Sequence, residues 1–210
     1  MAWRDAPPTE LGASPAFFPS VPSEQWEPYR DQLTHGGDIA LNVGSFLLRS
    51  EGKMVLVDTG LGASDAGMTG AVFGLLMDDM RDKGVRAEEV DLVVITHLHR
   101  DHVGWNLVRD DGVVRPTFPN ACYLVPKADW DIFTRRDGMA AFAYIREQVT
   151  PLEGLGVLDL MEGEQAVTGE LTALPAPGHT PGHTCLLQEL ACSAIAFHRS
   201  KQKVLHAEKI

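Results

Sequence analysis

The chain has 210 residues, of which 44% are hydrophobic and 22% are charged, a balance typical of a globular protein with one sizeable core. Its formal net charge of −11 argues against nucleic acid or an anionic membrane as the main partner, because phosphate binding requires a basic patch. The three cysteines are too scattered for a disulfide framework, and no apolar run approaches the ~20 residues of a membrane span.

The first residues also lack the apolar centre of a secretion signal, so we expect a cytoplasmic protein. We expect it to act on a small-molecule substrate, with neither nucleic acid nor membrane as a partner. Homodimer formation is left open.

Composition divides the chain into three parts. Residues 1–38 are rich in proline and aromatic residues, which predicts an irregular N-terminal arm packed on the body of the protein. Residues 39–188 alternate between strand-like and helix-like patterns, which indicates an α/β domain. Residues 189–210 form an atypical basic tail, with four Lys and Arg against two Glu.

The first half of the domain begins with a predicted hairpin, in which strands 39–49 and 54–57 flank a polar turn containing Gly52. Apolar residues at helical spacing then predict a helix over 68–83. A fully apolar run predicts a further strand over 92–95.

The second half continues the alternation. A short helix is predicted to begin over 103–107. The remaining predicted elements are strands over 121–125, 171–174 and 184–187 and helices over 127–133 and 139–149, the last ended by Pro151.

Three imidazoles and one carboxylate fall within six positions directly after the 92–95 strand. His97 and His99 are two residues apart, so in an extended segment they point the same way and can reach one metal ion. Asp101 and His102 follow after the chain turns, and they suit a second ion nearby. Such a pair of ions activates a water molecule for hydrolysis without a protein nucleophile.

A second histidine patch lies in the run Pro-Gly-His-Thr-Pro-Gly-His. Its glycines and prolines predict a rigid loop that presents His179 as a third imidazole for the first ion, whereas His183 is predicted either to stabilise the loop or to support a metal ligand from behind. Asp58, at the end of the 54–57 strand, either orients a ligand histidine through its second nitrogen or simply forms a turn.

These motifs resemble those of the metallo-β-lactamase superfamily. Its signature is a strand ending in Asp-Thr-Gly, then His-x-His-x-Asp-His, then a Gly-His-Thr loop. All three occur here in that order, and the resemblance covers roughly residues 39–187, so that 39–188 is interpreted as a metallo-β-lactamase-like domain.

The resemblance implies a four-layer αββα sandwich with the site at one edge, between two sheets. It implies one zinc ion held by His97, His99 and His179 and a second held by Asp101 and His102, with Asp101 as the catalytic carboxylate. The reaction implied is hydrolysis of an ester, lactone or phosphoester, and the motif details are closer to the lactonase and organophosphate-hydrolase-like branches.

The sequence also departs from the family pattern. The family places a bridging Asp in the strand after the Gly-His-Thr loop and one more His later, but no Asp follows Asp159 here. We therefore expect a weak or absent second zinc site. We also expect a sandwich that is incomplete at its C-terminus, as in a truncated or frame-shifted family member.

Two alternatives remain open. One is a catalytically impaired homologue that still binds metal. The other is a mononuclear iron thiol dioxygenase of the same fold, which would keep these histidines. Di-iron members replace the second His of the cluster with Glu, so His99 argues against that group.

Overall fold

The computed structural model describes residues 2–4, 9–13, 18, 20–33, 37–41, 43–63, 74–188 and 203–205. The strands are β1 (Ala2–Arg4), β2 (Thr9–Ala13), β3 (Asp38–Leu41), β4 (Gly44–Ser50), β5 (Lys53–Val57), β6 (Leu92–Val94), β7 (Leu107–Asp110), β8 (Val113–Pro116), β9 (Cys122–Pro126), β10 (Leu158–Met161), β11 (Gln165–Ala166), β12 (Leu171–Pro175), β13 (Thr184–Gln188) and β14 (Lys203–Leu205). The helices are α1 (Leu76–Asp82), α2 (Arg100–Val103), α3 (Lys127–Phe133), α4 (Arg136–Ala141) and α5 (Pro151–Gly154), with 3-10 helices at Ser23–Gln32 and Ala87–Glu89 and a π-helical turn at Ile145–Val149.

Two sheets form the body of the fold. The larger has six strands in the order β1-β4-β5-β6-β9-β10, and its members β5, β6, β9 and β10 are mutually parallel. The smaller is antiparallel, in the order β11-β12-β13-β14. The predicted α/β class is therefore confirmed.

Side chains of the central strands alternate between two cores, as the period of a strand requires. In β5, Met54 and Leu56 lie in the first core, on the helical side, whereas Val55 and Val57 lie in the second core, between the two sheets. The second core also contains Leu171 and other apolar residues of the smaller sheet. Strands buried on both faces explain the continuous apolar runs in the sequence.

Helices cover the other face of the larger sheet. The first core includes one or more buried residues from four of the five α-helices and from the π-helical turn, such as Leu76, Phe133 and Leu152. The described residues therefore form helix, sheet and sheet layers, which are three of the four layers expected.

Several element predictions need correction. The 39–49 strand is two strands: β3 pairs with β2 in a separate ribbon, and β4 pairs with β5. The predicted 68–83 helix begins only at Leu76, because Gly74 adopts φ +83°, which interrupts a helix; residues 64–73 lie outside the described ranges.

The segment after the histidine cluster also differs from prediction. The helix is α2, which ends at Val103 instead of beginning there, and the chain then forms the β7–β8 hairpin. The 139–149 helix is divided into α4 and the π-helical turn, and Pro151 begins α5 because proline fits the first turn of a helix. The other predicted strands and the 127–133 helix are confirmed.

The two chain ends contribute strands to the sheets. Part of the segment predicted as an irregular arm is regular, because β1 pairs antiparallel with β4 at the edge of the larger sheet. Within the predicted tail, β14 pairs with β13. Across the described ranges, no helix is both long and apolar enough to cross a membrane.

Substitution of Leu56 tests how much the first core contributes to the free energy of unfolding. Its side chain is fully buried, so Leu56→Ala should lower the free energy of unfolding by about 2–5 kcal/mol through lost burial and a residual cavity. The matched control is Val113→Ala, on the exposed hairpin, which should change it by less than about 0.5 kcal/mol. Urea denaturation measures both; equal effects would contradict the assigned core.

Candidate metal centre

The site lies where the central parallel strands end. Val57 of β5 is paired with Val94 of β6, and Val94 with Leu124 of β9, so the carboxyl ends of these strands meet at one edge of the sheet. The backbone N–H of Asp58 donates to Val94 O at 2.9 Å, which continues this alignment one residue beyond β5. The residues that follow each strand therefore converge.

The smaller sheet brings the second histidine patch to the same edge. The N–H of Thr184, the first residue of β13, donates to Thr96 O at 3.0 Å. The loop that precedes β13 therefore lies against the segment that follows β6. This contact joins two motifs that are about 80 residues apart in sequence.

The imidazoles of His97, His99 and His179 form a compact group. One ligand atom from each lies within 4.8 Å of the others, and His99 Nδ1 is 2.9 Å from His179 Nε2. His97 is buried, His99 is half-buried and His179 is exposed, so the group has a closed side and an open side. A metal ion held by this group would be accessible from its open side.

His97 presents an unsatisfied nitrogen to this group. The Thr96 hydroxyl donates its one proton to Asp58, so it accepts from His97 Nδ1, 3.1 Å away. The lone pair of His97 is then on Nε2, which is buried and has no hydrogen-bond partner within the described part of the chain. A buried polar atom left unpaired is unfavourable, and a metal ion would satisfy it.

Burial and the neighbouring imidazoles favour the neutral forms of His97 and His99. Burial, followed by the charges that His102, His99 and the other histidines would carry, lowers the pKa of His97 to about 2. Burial, and then His179, also lowers the pKa of His99. Because a metal binds the neutral imidazole, His97 needs no deprotonation at neutral pH.

Asp58 organises the other side of the site. It adopts φ +57°, and its carboxylate accepts from Thr96 N at 2.8 Å and from His102 Nδ1 at 2.8 Å. Asp58 therefore forms the turn and also contacts the Nδ1 of a histidine in the cluster, while the role of that histidine as a metal ligand stays a prediction. Its contact with Thr96 also links it indirectly to His97.

Asp101 and His102 face each other. His102 Nε2 lies 3.3 Å from Asp101 Oδ2, and the His102 ring centroid is 3.8 Å from that of His97. Burial alone would lower the pKa of His102, but the charge of Asp58 and the bonds to both carboxylates raise it to about 10. Burial would raise the pKa of Asp101, but the bond to His102 lowers it to about 2.

His183 lies beside the group without joining it. Its Nδ1 donates to Ala176 O at 3.1 Å, which closes the loop that carries His179. Its ring centroid is 5.1 Å from that of His97. These contacts agree with its predicted role in the loop.

Sequence reasoning missed Asp129, in the first turn of α3. Its side chain is fully buried, and it accepts hydrogen bonds from Leu98 N and from the His179 loop. An acidic residue shortly after a third apolar strand was the available signal, since parallel strands end at the same edge.

A cavity of about 620 Å³ is lined by Arg100, which stands between His99 and Asp101 in the sequence. Arg100 and Tyr144 lie in its wall, and the Tyr144 hydroxyl donates to Leu98 O at 3.1 Å. The rest of the wall combines small or apolar residues with two polar ones, and comprises Leu61, Gly62, Ala63, Gly104, Ala141, Phe142, Ala143, Glu147 and Gln148. The volume suits a small organic molecule.

A family model described as the metallo-β-lactamase superfamily matches residues 39–191. The chain belongs to this superfamily. The order of strands, the three layers and the position of the histidines at the sheet edge agree with the fold that the sequence motifs predicted.

Known proteins of similar sequence include N-acyl homoserine lactonases. The enzyme from Bacillus cereus is 26% identical over 180 residues, which cover 79% of this chain and 65% of that protein. The enzyme from Rhizobium radiobacter is 27% identical over 176 residues, which cover 74% of this chain and 63% of that protein. The chain thus spans less than two thirds of the length of these relatives.

Solved structures also resemble this fold. A dizinc quorum-quenching lactonase, AidC, solved in complex with a product, has a TM-score of 0.69 at 19% identity, covering 90% of this chain and 67% of that one. At this identity the likeness shows the fold alone.

The geometry of the three-histidine group predicts that His97 is required for metal binding and that His183 is not. His97→Ala should abolish stoichiometric zinc binding, because it removes the buried nitrogen at the closed side of the group. His183→Ala is the matched control and should mainly destabilise the loop. Elemental analysis after dialysis measures both; zinc lost from the His183 variant but kept by His179→Ala would contradict the assignment.

The contacts of Asp58 predict that its carboxylate raises the affinity of the site for zinc. Asp58→Asn removes the carboxylate that holds His102 and Thr96, so zinc affinity should fall by about 10–100-fold. Asp91→Asn is its control, since Asp91 accepts from Met54 N at 2.7 Å at the opposite end of the same strands. Competition with a chelating dye measures both affinities, and an equal loss in the two variants would refute the role of Asp58.

Proposed function

We propose that the chain is a zinc-dependent hydrolase that opens lactones or cleaves related esters with water. The observation that carries the proposal is the convergence of three imidazoles, one of which has a buried nitrogen without a partner in the described part of the chain. The named lactonases among its relatives support the substrate class.

His97, His99 and His179 would hold the first zinc ion, and Asp101 and His102 would supply ligands for a second. The first site has three protein ligands and the second has two, so we expect the first ion to bind more tightly. A bound zinc ion lowers the pKa of water and polarises a carbonyl oxygen.

The remaining residues prepare the site for that chemistry. Asp58 keeps His102 in one orientation through its Nδ1–H. The low pKa of Asp101 keeps its carboxylate ionised at neutral pH, so it can only accept hydrogen bonds and is suited to orient a water molecule. The cavity lined by Arg100 and Tyr144 would hold the substrate, and Arg100 belongs to the segment that carries His99.

The test combines elemental analysis with a pH-stat assay on N-hexanoyl homoserine lactone, γ-butyrolactone and 4-nitrophenyl acetate. The purified chain should contain at least one zinc ion and should release acid from a lactone. His97→Ala should lose both the zinc and the activity, and Ser50→Ala, at the far end of the β4–β5 hairpin, should keep both.

Other outcomes would overturn the proposal. Stoichiometric zinc without turnover would identify a metal-binding homologue that is catalytically impaired. Iron in place of zinc, with oxygen consumed in the presence of a thiol, would identify a thiol dioxygenase.

A further inference from the structure

Asp129 is a charged group with no exposed surface. It lies in the first turn of α3, and its side chain is completely buried. Removing a carboxylate from water is costly unless hydrogen bonds replace the lost hydration. The chain must therefore supply donors around it.

Three donors converge on this carboxylate. Oδ2 accepts from Leu98 N at 3.0 Å and from the Thr180 hydroxyl at 2.8 Å. Oδ1 accepts from Gly182 N at 2.6 Å. Hydrogen bonds to a charged acceptor are stronger than those between neutral groups, so this arrangement is directional and rigid.

The donors come from the two segments that carry the histidine group. Leu98 stands between His97 and His99, and Thr180 directly follows His179. One carboxylate thus connects the segment after β6 with the loop before β13. Neither segment bonds to Asp129 through a histidine, so the connection does not occupy a metal ligand.

Close packing fixes both sides of this connection. The backbone of Leu98 is held at its N–H by Asp129 and at its carbonyl by the Tyr144 hydroxyl. A Cβ at Gly182 would lie 2.6 Å from the Asp129 backbone nitrogen and 2.8 Å from its Oδ1. Only glycine fits at this position without displacing the loop.

We propose that Asp129 is a positioning residue that sets the distance between His179 and the His97–His99 pair before any metal binds. This inference rests on the metal site of the proposed function, but the structural connection is a property of the metal-free chain. Asp129 itself contacts no metal or substrate in this account.

Asp129→Asn is the main test, because it keeps the shape but turns one acceptor oxygen into a donor that faces other donors. In the metal-free protein, the amides of Leu98 and Gly182 should exchange with solvent faster than in the parent chain, as measured by NMR. Affinity for Zn²⁺ should fall by about 10–100-fold, as is typical for residues that orient metal ligands. The absorption spectrum of the Co²⁺ form should shift towards that of His179→Ala.

A milder variant covers the case in which Asp129→Asn does not fold. Thr180→Val removes one of the three donors at nearly constant volume, and it should change exchange and affinity in the same direction by a smaller factor. The control is Ser50→Ala, since the buried Ser50 hydroxyl bonds Thr168 at 2.6 Å and so also joins distant segments, away from the site.

Unchanged affinity and unchanged exchange in Asp129→Asn, or in Thr180→Val if the former does not fold, would overturn the inference. An equal loss of affinity in Ser50→Ala would show that Asp129 acts through overall stability only. These readouts do not depend on lactone hydrolysis, so a chain that binds Zn²⁺ but hydrolyses nothing would refute the proposed function and still test Asp129. A parent chain without Zn²⁺ affinity would refute the metal site, and the amide exchange would then decide the role of Asp129.

Discussion

The parallel alignment of β5, β6 and β9 is the constraint on which the site depends. Their hydrogen-bonded register puts Val57, Val94 and Leu124 side by side, so the residues beyond them leave the sheet at one edge. Asp58 and Asp129 arrive there from the flanking strands, and the histidine cluster arrives from the middle one. A shift of one residue in the register of any of these strands would move its side chains to the opposite face of the sheet, and thus from one core to the other.

At this edge, two buried carboxylates bond the groups around the histidines, and the imidazoles are the candidate metal ligands. Asp58 holds Thr96 and His102, and Asp129 holds the Leu98 peptide and the His179 loop. Each carboxylate is buried and accepts several hydrogen bonds, so Asp58 orients His102 directly and Asp129 fixes the backbone segments that carry His99 and His179. The cost of the arrangement is the unpaired Nε2 of His97, and an unsatisfied group of this kind destabilises a fold by about 1–3 kcal/mol.

Much of this could be predicted from local patterns. The spacing of His97 and His99 depends only on the geometry of an extended chain, and the structure places both beside His179 as expected. The apolar runs that predicted the central strands are continuous because those strands are buried on both faces. The same runs also located the edge at which the site forms.

Other features depend on contacts between distant segments, which no local pattern records. The role of Asp129 requires two segments to converge, and its own neighbours in the sequence resemble an ordinary helix start. The β7–β8 hairpin was missed because a short apolar stretch fits either a helix or a strand until its partner is known. The separation of β3 from β4 was missed because it depends on their different partners, β2 and β5.

The most direct test of this account is a crystal structure of the zinc-loaded chain with an anomalous-scattering map at the zinc edge. We expect an ion bound by nitrogen atoms of His97, His99 and His179 at about 2.0–2.1 Å, with His97 using Nε2. An ion held elsewhere, or one that leaves His97 Nε2 uncoordinated, would contradict the account.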